Sequence, residues 1–265
     1  MPSVDPMAVG SLVADGDDEG TYTLITGKGF GIEAPDADHD PAVRHIRQAV
    51  DATLGRPVFL FDIHIDTDLN KGANVDRQRN EIKTDNGSPS SMVAMEDQTL
   101  ENTWLFKLPA GMQTTTEFTH VHQIKGIDND LGTADISKPN ITFTCRSKGG
   151  GQKFQVIYVA PSDEGSGLTY LAEADLADFL GEWVEVTESM VCSASSGSYS
   201  VSIKRLRDDA TLVSVSQAGL KMWRSGAVGM RPKWGIYRYY GDSHSLASEL
   251  RDETISFADF YVNAF

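Results

Sequence analysis

The stretch Pro57–Asp66 (PVFLFDIHID) alternates between large apolar residues and polar residues. In an extended chain its apolar side chains share one face, at Phe59, Phe61, Ile63 and Ile65. A period of two indicates a β-strand with one buried side. The same alternation recurs along most of the chain, so the sequence predicts an all-β protein.

The other segments with strand character are separated by clusters of Gly, Ser, Asn and Asp. In chain order they are Thr21–Thr26, Asp76–Thr84, Thr99–Leu108, Thr115–Ile127, Asn140–Cys145, Phe154–Ala160, Trp183–Met190, Tyr199–Arg205, Thr211–Val215, Trp234–Tyr240 and Thr254–Phe265. Short helices are predicted at Pro41–Leu54 and Leu171–Phe179. Many strands without a break in composition indicate one jelly roll of the concanavalin A-like type, a sandwich of two antiparallel sheets at 21–265. Residues 1–20 are an extension that we expect to be poorly ordered.

The 265 residues include 23 Lys+Arg and 38 Asp+Glu, which gives a formal net charge of −15. This excess of acid disfavours nucleic acid as a partner. No apolar run approaches the ~20 residues of a membrane-spanning helix. Met1–Glu19 lacks the charged and apolar regions of a secretory leader. A cytosolic protein and a secreted protein whose leader is missing from this sequence both fit.

Cysteine and histidine spacing gives no sign of a zinc site. The chain has no CxxC pair, and His64, His120 and His122 have no cysteine at ligand spacing. Cys145 and Cys192 each lie in a predicted strand. One disulfide and two buried thiols are both compatible with that placement.

Three predicted strands carry polar side chains at two-residue spacing. In the first, one face holds Arg77, Arg79, Glu81 and Lys83. The cations repel one another, and a bound anion would relieve that repulsion beyond what Glu81 achieves. Taken alone, the pattern fits a solvated outer face equally well.

In the second strand, strict alternation places Gln123 and Lys125 on one face and His120 and His122 on the other. Two alternate histidines are more often hydrogen-bonded structural residues than catalytic ones. In the third strand, one face holds Lys233, Gly235, Tyr237 and Tyr239. We expect Gly235 to leave a depression in which a ligand approaches the backbone; a tyrosine-rich outer sheet face is the simpler alternative.

The three strands together resemble a known family. The elements Arg79-x-Glu81-x-Lys83, Gln123-Ile124-Lys125 and Lys233-x-Gly235-x-Tyr237-x-Tyr239 follow the order and spacing of R-x-E-x-R, Q-I-H and Y-F-K-x-G-x-Y-x-Q. Those motifs belong to the jelly-roll alginate lyases of polysaccharide lyase family 7. The chain is also similar to the glucuronan lyases of family 20, from about Thr21 to its end. Lys125 stands where the alginate lyases have their catalytic histidine, Lys83 replaces an arginine and Tyr239 a glutamine.

The resemblance implies an extracellular polysaccharide lyase that cleaves a 4-linked polyuronate by β-elimination. The Lys125 difference favours glucuronan, with mannuronan or alginate next. Arg79 and Gln123 would neutralise the uronate carboxylate, and Tyr237 would act as base and then as acid. His64, on the polar face of its strand, is the first candidate for a participating histidine. The expected substrate-binding residues are Arg77, Glu81, Lys83, Lys125, Lys233, Tyr239 and His122, with Arg238 adding positive charge.

The predicted reaction requires no cofactor. The closing strand resembles strands in which an aspartate holds a structural calcium, so Asp259 is a candidate ligand. We expect an acidic polysaccharide as partner, no nucleic acid, no membrane and a monomer. A non-catalytic carbohydrate-binding protein is the alternative. A glycoside hydrolase fits less well, because it requires two carboxylates about 5–10 Å apart and Glu185 and Glu188 have opposite-face spacing.

Overall fold

The computed structural model describes residues 4–70, 75–162 and 167–265. Within these ranges the chain forms one α-helix, α1 (Thr21–Gly27), and fifteen strands. The strands are β1 (Ser11–Leu12), β2 (Gly31–Glu33), β3 (Ile46–Asp51), β4 (Arg56–Ile63), β5 (Arg77–Lys83), β6 (Thr99–Lys107), β7 (Thr119–Ile127), β8 (Ile141–Lys148), β9 (Gly151–Val159), β10 (Leu168–Asp175), β11 (Trp183–Val191), β12 (Gly197–Arg205), β13 (Ala210–Leu220), β14 (Gly229–Tyr239) and β15 (Glu253–Ala264).

The strands form two antiparallel sheets that pack face to face. The first sheet has the order β13-β12-β11-β6-β15-β4-β3, with β1 paired to β15, and the second has the order β10-β9-β8-β7-β14-β5-β2. Neighbours such as β14 and β5 are far apart in sequence, so the chain crosses repeatedly between the sheets. This confirms the predicted jelly roll.

The core between the sheets consists of large side chains from alternate strand positions. Trp104 of β6 and Trp234 of β14 meet edge to face, with ring centroids 5.7 Å apart. Phe106 and Phe154 stack across the sandwich at 6.1 Å. All four are buried. Aromatic side chains bury the largest apolar area per residue and therefore dominate the hydrophobic stabilisation of such a core.

The prediction of a helix at Pro41–Leu54 was wrong. This segment contains β3 (Ile46–Asp51), which pairs antiparallel with β4. Ile46 and Gln48 are buried, whereas Arg47 and Ala49 are exposed. Burial at every second residue is a strand period, so pairing with β4 overrides the apolar spacing of three and four.

Two further segments differ from their sequence predictions. Thr21–Thr26 was expected to be a strand but lies in α1, which buries Thr21 and Ile25 one turn apart. The helix expected at Leu171–Phe179 is the strand β10 followed by one 3₁₀ turn at Leu176–Asp178. Short segments are the ones in which tertiary packing most easily overrides local preference.

The N-terminal extension contributes to the fold from Ser11 onward. β1 pairs with Tyr261 and Phe260 of β15, and Leu12 is fully buried in the core. The structure therefore differs here from the expected poor order. Among the described helices, none has the length and apolar character to cross a bilayer.

The two cysteines are buried free thiols. Burial raises the pKa of both Cys145 and Cys192, because the thiolate loses its hydration. Of the two alternatives that the sequence left open, the structure has the pair of thiols.

Candidate functional site

The three polar strands lie side by side in the second sheet, with β14 in the centre. Tyr237 of β14 is directly opposite Arg79 of β5. Lys233 of β14 is opposite Lys83 on β5 and Gln123 on β7. Their side chains lie on the outer side of the sheet, away from the core. We call this surface the basic face, after its cations Arg77, Arg79, Lys83, Lys125, Arg146, Arg231 and Lys233.

Tyr237 is held between two guanidinium groups. Its hydroxyl accepts a hydrogen bond from Nη1 of Arg77 at 2.9 Å. The guanidinium carbon of Arg79 lies 4.1 Å from the centre of the tyrosine ring. Arg77 is itself fixed by Asp76, whose Oδ1 accepts from Nε at 2.7 Å. Because Tyr237 is only 9% exposed, little water separates its hydroxyl and its ring from these two cations.

Beside the tyrosine, a network of buried charges forms the floor of the basic face. Nζ of Lys233 donates to Glu33 at 2.5 Å and to Glu81 at 2.6 Å. Nη1 of Arg79 donates to Glu33 at 2.9 Å. Burial raises the pKa of both carboxyls, but the neighbouring cations outweigh burial and hold both values below the ordinary range. Both acids are therefore ionised.

The network also fixes the two predicted carboxylate binders. Nε2 of Gln123 donates to Oε1 of Glu81 at 2.5 Å, and its second amide hydrogen has no acceptor among the residues that the structure describes. Nε of Arg79 is buried without a hydrogen-bond partner among the described atoms. Donors held in this way need little reorganisation to meet a developing negative charge.

Glu33 is a site residue that the sequence analysis missed. It lies on the three-residue strand β2, opposite Glu81. A single acid in so short a strand forms no motif by itself. Only the pairing of β2 with β5 places it beside Lys233 and Arg79.

His120 is a second residue that was missed. The register of β7 shifts between His120 and His122 against β8, and between their partners against β14. This bulge turns His120 toward the basic face, opposite Tyr237, with ring centroids 6.0 Å apart. Strict alternation had placed it on the other side.

The imidazole of His120 is oriented and neutral. Nδ1 lies 2.8 Å from Oγ1 of Thr144, which leaves Nε2 without a hydrogen-bond partner within the described part of the chain. Burial lowers the pKa of His120 to about 3, and the charge of Arg146 acts in the same direction. A neutral imidazole next to Tyr237 can accept or donate one proton.

Three other sequence predictions were misplaced. His122 points into the core, where Nε2 lies 3.1 Å from Glu188 and the ring packs 4.5 Å from that of Trp104. Arg238 also points inward and donates to Gln78 at 2.8 Å. His64 lies beyond the end of β4, in a separate group of histidines described below. None of the three is on the basic face. His122 and Arg238 occupy inward positions of β7 and β14, and His64 follows β4, which belongs to the other sheet.

The remaining predicted binders lie on the basic face. Lys83 donates to Glu33 at 3.1 Å. Lys125 is half-buried, and burial together with Lys233 and Arg79 lowers its pKa to about 8. Tyr239 continues the line of Tyr237 along β14, with its ring 6.1 Å from that of Phe118. Their part in binding a substrate stays a prediction.

Gly235 does not form the expected open depression. Its φ is +147°, and a Cβ atom at this position would lie 2.0 Å from the backbone oxygen of Asn80. Glycine is required here because β5 approaches β14 too closely for any side chain.

Asp259 lies on the other sheet and forms an ion pair with Arg56, with one contact at 2.8 Å. The guanidinium already balances its charge. A calcium ion at Asp259 stays an untested prediction.

The fold and the basic face together define a jelly roll with a cationic, tyrosine-centred surface on one sheet. No protein-family model matches the sequence, and no curated protein sequence matches it. Solved structures do match. The alginate lyase of family PL-14 from Aplysia kurodai superposes with a TM-score of 0.61 at 11% identity, covering 97% of this chain and 98% of that one.

Two family 7 alginate lyases are similar in the same way. For alginate lyase A1-II′ the TM-score is 0.59 at 12% identity, over 89% of this chain and 94% of that one. For the enzyme PA1167 from Pseudomonas aeruginosa it is 0.54 at 16% identity, over 89% and 98%. The predicted resemblance to jelly-roll alginate lyases is thus confirmed at the level of the fold.

Proposed function

We propose that this protein is a polysaccharide lyase that cleaves a 4-linked polyuronate by β-elimination. The observation that carries the proposal is the placement of Tyr237, with Arg77 on its hydroxyl and Arg79 over its ring. Gln123 and His120 flank this pair on the same face. The structural similarity to alginate lyases, one of them solved in complex with substrate, supports the same reaction class.

The reaction begins with removal of the C5 proton, which is hard because the adjacent carboxylate is already negative. Arg79 and the second amide hydrogen of Gln123 donate to that carboxylate and stabilise the enolate-like intermediate. Removal of one such donor typically costs about 10²–10³ in rate. The positions of both side chains are set by Glu33 and Glu81 before substrate arrives.

Tyr237 moves the proton. In its deprotonated form, with Arg77 hydrogen-bonded to the oxygen, it takes the proton from C5. The electron pair then forms the C4=C5 double bond, the C4–O4 bond breaks, and the departing O4 takes the proton from the tyrosine. In β-linked glucuronate and mannuronate, H5 and O4 lie on the same side of the ring. A single phenol is therefore sufficient, which is why we propose glucuronan first and mannuronan second.

The position of His120 bears on whether guluronate can be a substrate. Guluronate presents H5 and O4 on opposite sides and needs a second proton carrier. In the sequence, Lys125 stands where the alginate lyases have a histidine. In the structure, the imidazole of His120, three residues before Gln123, lies beside Tyr237. Guluronate-rich alginate therefore belongs among the substrates to be tested.

Hydrolysis is not favoured, although the basic face does contain a pair of carboxylates. Glu33 and Glu81 both bind Nζ of Lys233, and the cations hold the pKa of each carboxyl low. A glycosidase needs one of its two acids protonated, with a raised pKa.

A substrate panel tests the proposal. Glucuronan, mannuronan and guluronan are incubated with the protein, and two readings are taken: ultraviolet absorbance of the unsaturated uronyl product, and reducing ends. A lyase increases both, a hydrolase increases only reducing ends, and a carbohydrate-binding protein increases neither. Absence of the absorbance change on every polymer, with binding retained, would replace the proposal by the binding function.

A further inference from the structure

Outside the basic face, three histidines and one aspartate converge where the two sheets meet at their β3 and β2 edges. His39 precedes β3 in a loop, His45 comes directly before β3, His64 directly follows β4, and Asp68 lies in the loop toward β5. One donor atom from each residue lies within 4.8 Å of all the others. These four residues span a range of thirty positions, so they form no zinc motif that can be recognised by spacing.

The contacts within this histidine cluster are short and mutual. Nε2 of His45 lies 3.1 Å from each of three atoms: Nε2 of His39, Nδ1 of His64 and Oδ1 of Asp68. His39 and His64 also approach Asp68, at 2.6 and 3.3 Å. Zn–N bonds of about 2.0–2.1 Å place neighbouring ligand atoms of a tetrahedron roughly 3.3 Å apart. The cluster is close to that size.

A fifth residue fixes the direction of the central imidazole. Oδ1 of Asp36 lies 2.8 Å from Nδ1 of His45 and also accepts the backbone N–H of that residue at 3.1 Å. With its Nδ1 proton bound to a carboxylate, a neutral His45 points the lone pair of Nε2 into the cluster. A carboxylate that orients the far nitrogen of a ligand is the usual outer partner of histidine in metal sites.

Because the cluster is largely buried, its polar atoms depend on one another for hydrogen bonds. The side chains of His45 and Asp68 are fully buried, whereas those of His39 and His64 are 17% and 36% exposed. One proton on His39 cannot serve Asp68 and His45 well at the same time. A single cation at the centre satisfies all the lone pairs, and the two partly exposed histidines give it a path from solvent.

We propose that His39, His45, His64 and Asp68 form a zinc site. Three imidazole nitrogens and one carboxylate oxygen are the donor types that Zn²⁺ takes, in its preferred number of four. Because protein atoms supply all four ligands, the site is structural. This inference does not depend on the proposed lyase activity.

The position of the site indicates what the ion stabilises. Nε2 of Gln78 on β5 donates to the carbonyls of His64 and Asp68, at 2.8 and 2.7 Å. The N–H of Arg79 donates to the carbonyl of Leu69 at 3.3 Å. The ion therefore joins the loops on either side of β3 and β4 to the strand that carries Arg79.

The rival occupant is a proton. With a second proton, His45 would be an imidazolium bound between Asp36 and Asp68, and no metal would be required. The two states predict different results when the metal alone is added.

The test uses the full chain without an affinity tag. The protein is treated with a chelator, dialysed and titrated with Zn²⁺ in a calorimeter. We expect one equivalent to bind and the thermal midpoint to rise on binding. Co²⁺ in place of Zn²⁺ should give the strong visible absorption of tetrahedral coordination.

Variants distinguish zinc binding at these four ligands from nonspecific binding of zinc. His64→Gln changes the most exposed ligand, so it is expected to fold, and it should weaken zinc binding more than about 100-fold, since even an outer partner contributes 10–100-fold. Asp36→Asn should weaken it about 10–100-fold. The matched control is His244→Gln, which removes an exposed histidine that is not one of the four ligands and should bind zinc like the natural chain.

Zinc binding by the natural chain and these variants decides between the metal site and the protonated cluster. Stoichiometric binding that His64→Gln loses and His244→Gln keeps supports the site. Absence of binding by the natural chain, or equal binding by His64→Gln, overturns it in favour of the protonated cluster.

Discussion

The replacement Tyr237→Phe removes one oxygen atom and tests the central step of the mechanism. Loss of a positioned acid or base typically lowers the rate about 10²–10⁴-fold, which corresponds to roughly 3–5 kcal/mol of transition-state stabilisation. We expect kcat to fall by that factor, because the same atom serves as base and as acid. KM should change little, since Arg79 and Gln123 still bind the carboxylate.

The structure predicts that this variant stays folded. A hydrogen bond to a charged group contributes about 1.5–3 kcal/mol at most. Arg77 keeps its bond to Asp76 at 2.7 Å, and its side chain is 31% exposed, so water can replace the lost acceptor. We expect the thermal midpoint to fall by only a few degrees, at roughly 2–4 °C per kcal/mol for a chain of this size class.

The assay compares initial rates of absorbance increase for the natural chain, Tyr237→Phe and a control. Tyr261→Phe is the control, because Tyr261 lies on β15 in the other sheet. It should retain the full rate. If Tyr237→Phe remains within tenfold of the natural chain on its best substrate, the phenol is not the proton carrier and the assignment is refuted.

Three further predictions concern other residues on the side of the sheet that carries Tyr237. His120→Asn should reduce cleavage of guluronan far more than that of glucuronan, because only the former needs a second proton carrier; equal losses would contradict this role. The KM for a polyuronate should rise as the pH passes about 8, because Lys125 loses its charge there. Lys125→Arg should remove this rise, which a pH series of initial rates measures. Lys233→Met should lower the free energy of unfolding by about 3–5 kcal/mol, since it removes the cation that Glu33 and Glu81 share. Urea denaturation measures this, and a loss below 1 kcal/mol (about one neutral hydrogen bond) would show that Arg79 and Lys83 are sufficient partners for the two carboxylates.

Much of the basic face was predictable because side chains alternate regularly along β5 and β14. Arg77, Arg79, Glu81 and Lys83 share a face as the period of two requires, and Tyr237 follows Lys233 on the adjacent strand. Such regularity is enforced by the core, since a shift of one residue would bury charges and expose Trp234.

The sequence predictions that failed did so for physical reasons that local sequence does not show. A bulge in β7 reverses the face of His120 while leaving local composition unchanged. Pairing with β4 makes a strand of Ile46–Asp51 despite its helical spacing. The histidine cluster is assembled from loops that only the packing of the sheets brings together, so no spacing rule could reveal it.

The close approach of β14 to β5 at Gly235 limits how this surface can change. Any side chain there would push the two backbones apart, and with them the opposed pair of Arg79 and Tyr237. Attempts to alter which sugar is accepted should therefore leave this position untouched and vary the periphery, at Lys125, Arg146 or Tyr239. Most variants at position 235 should be inactive because the strand is displaced, and their loss of activity would not report a changed preference for the sugar.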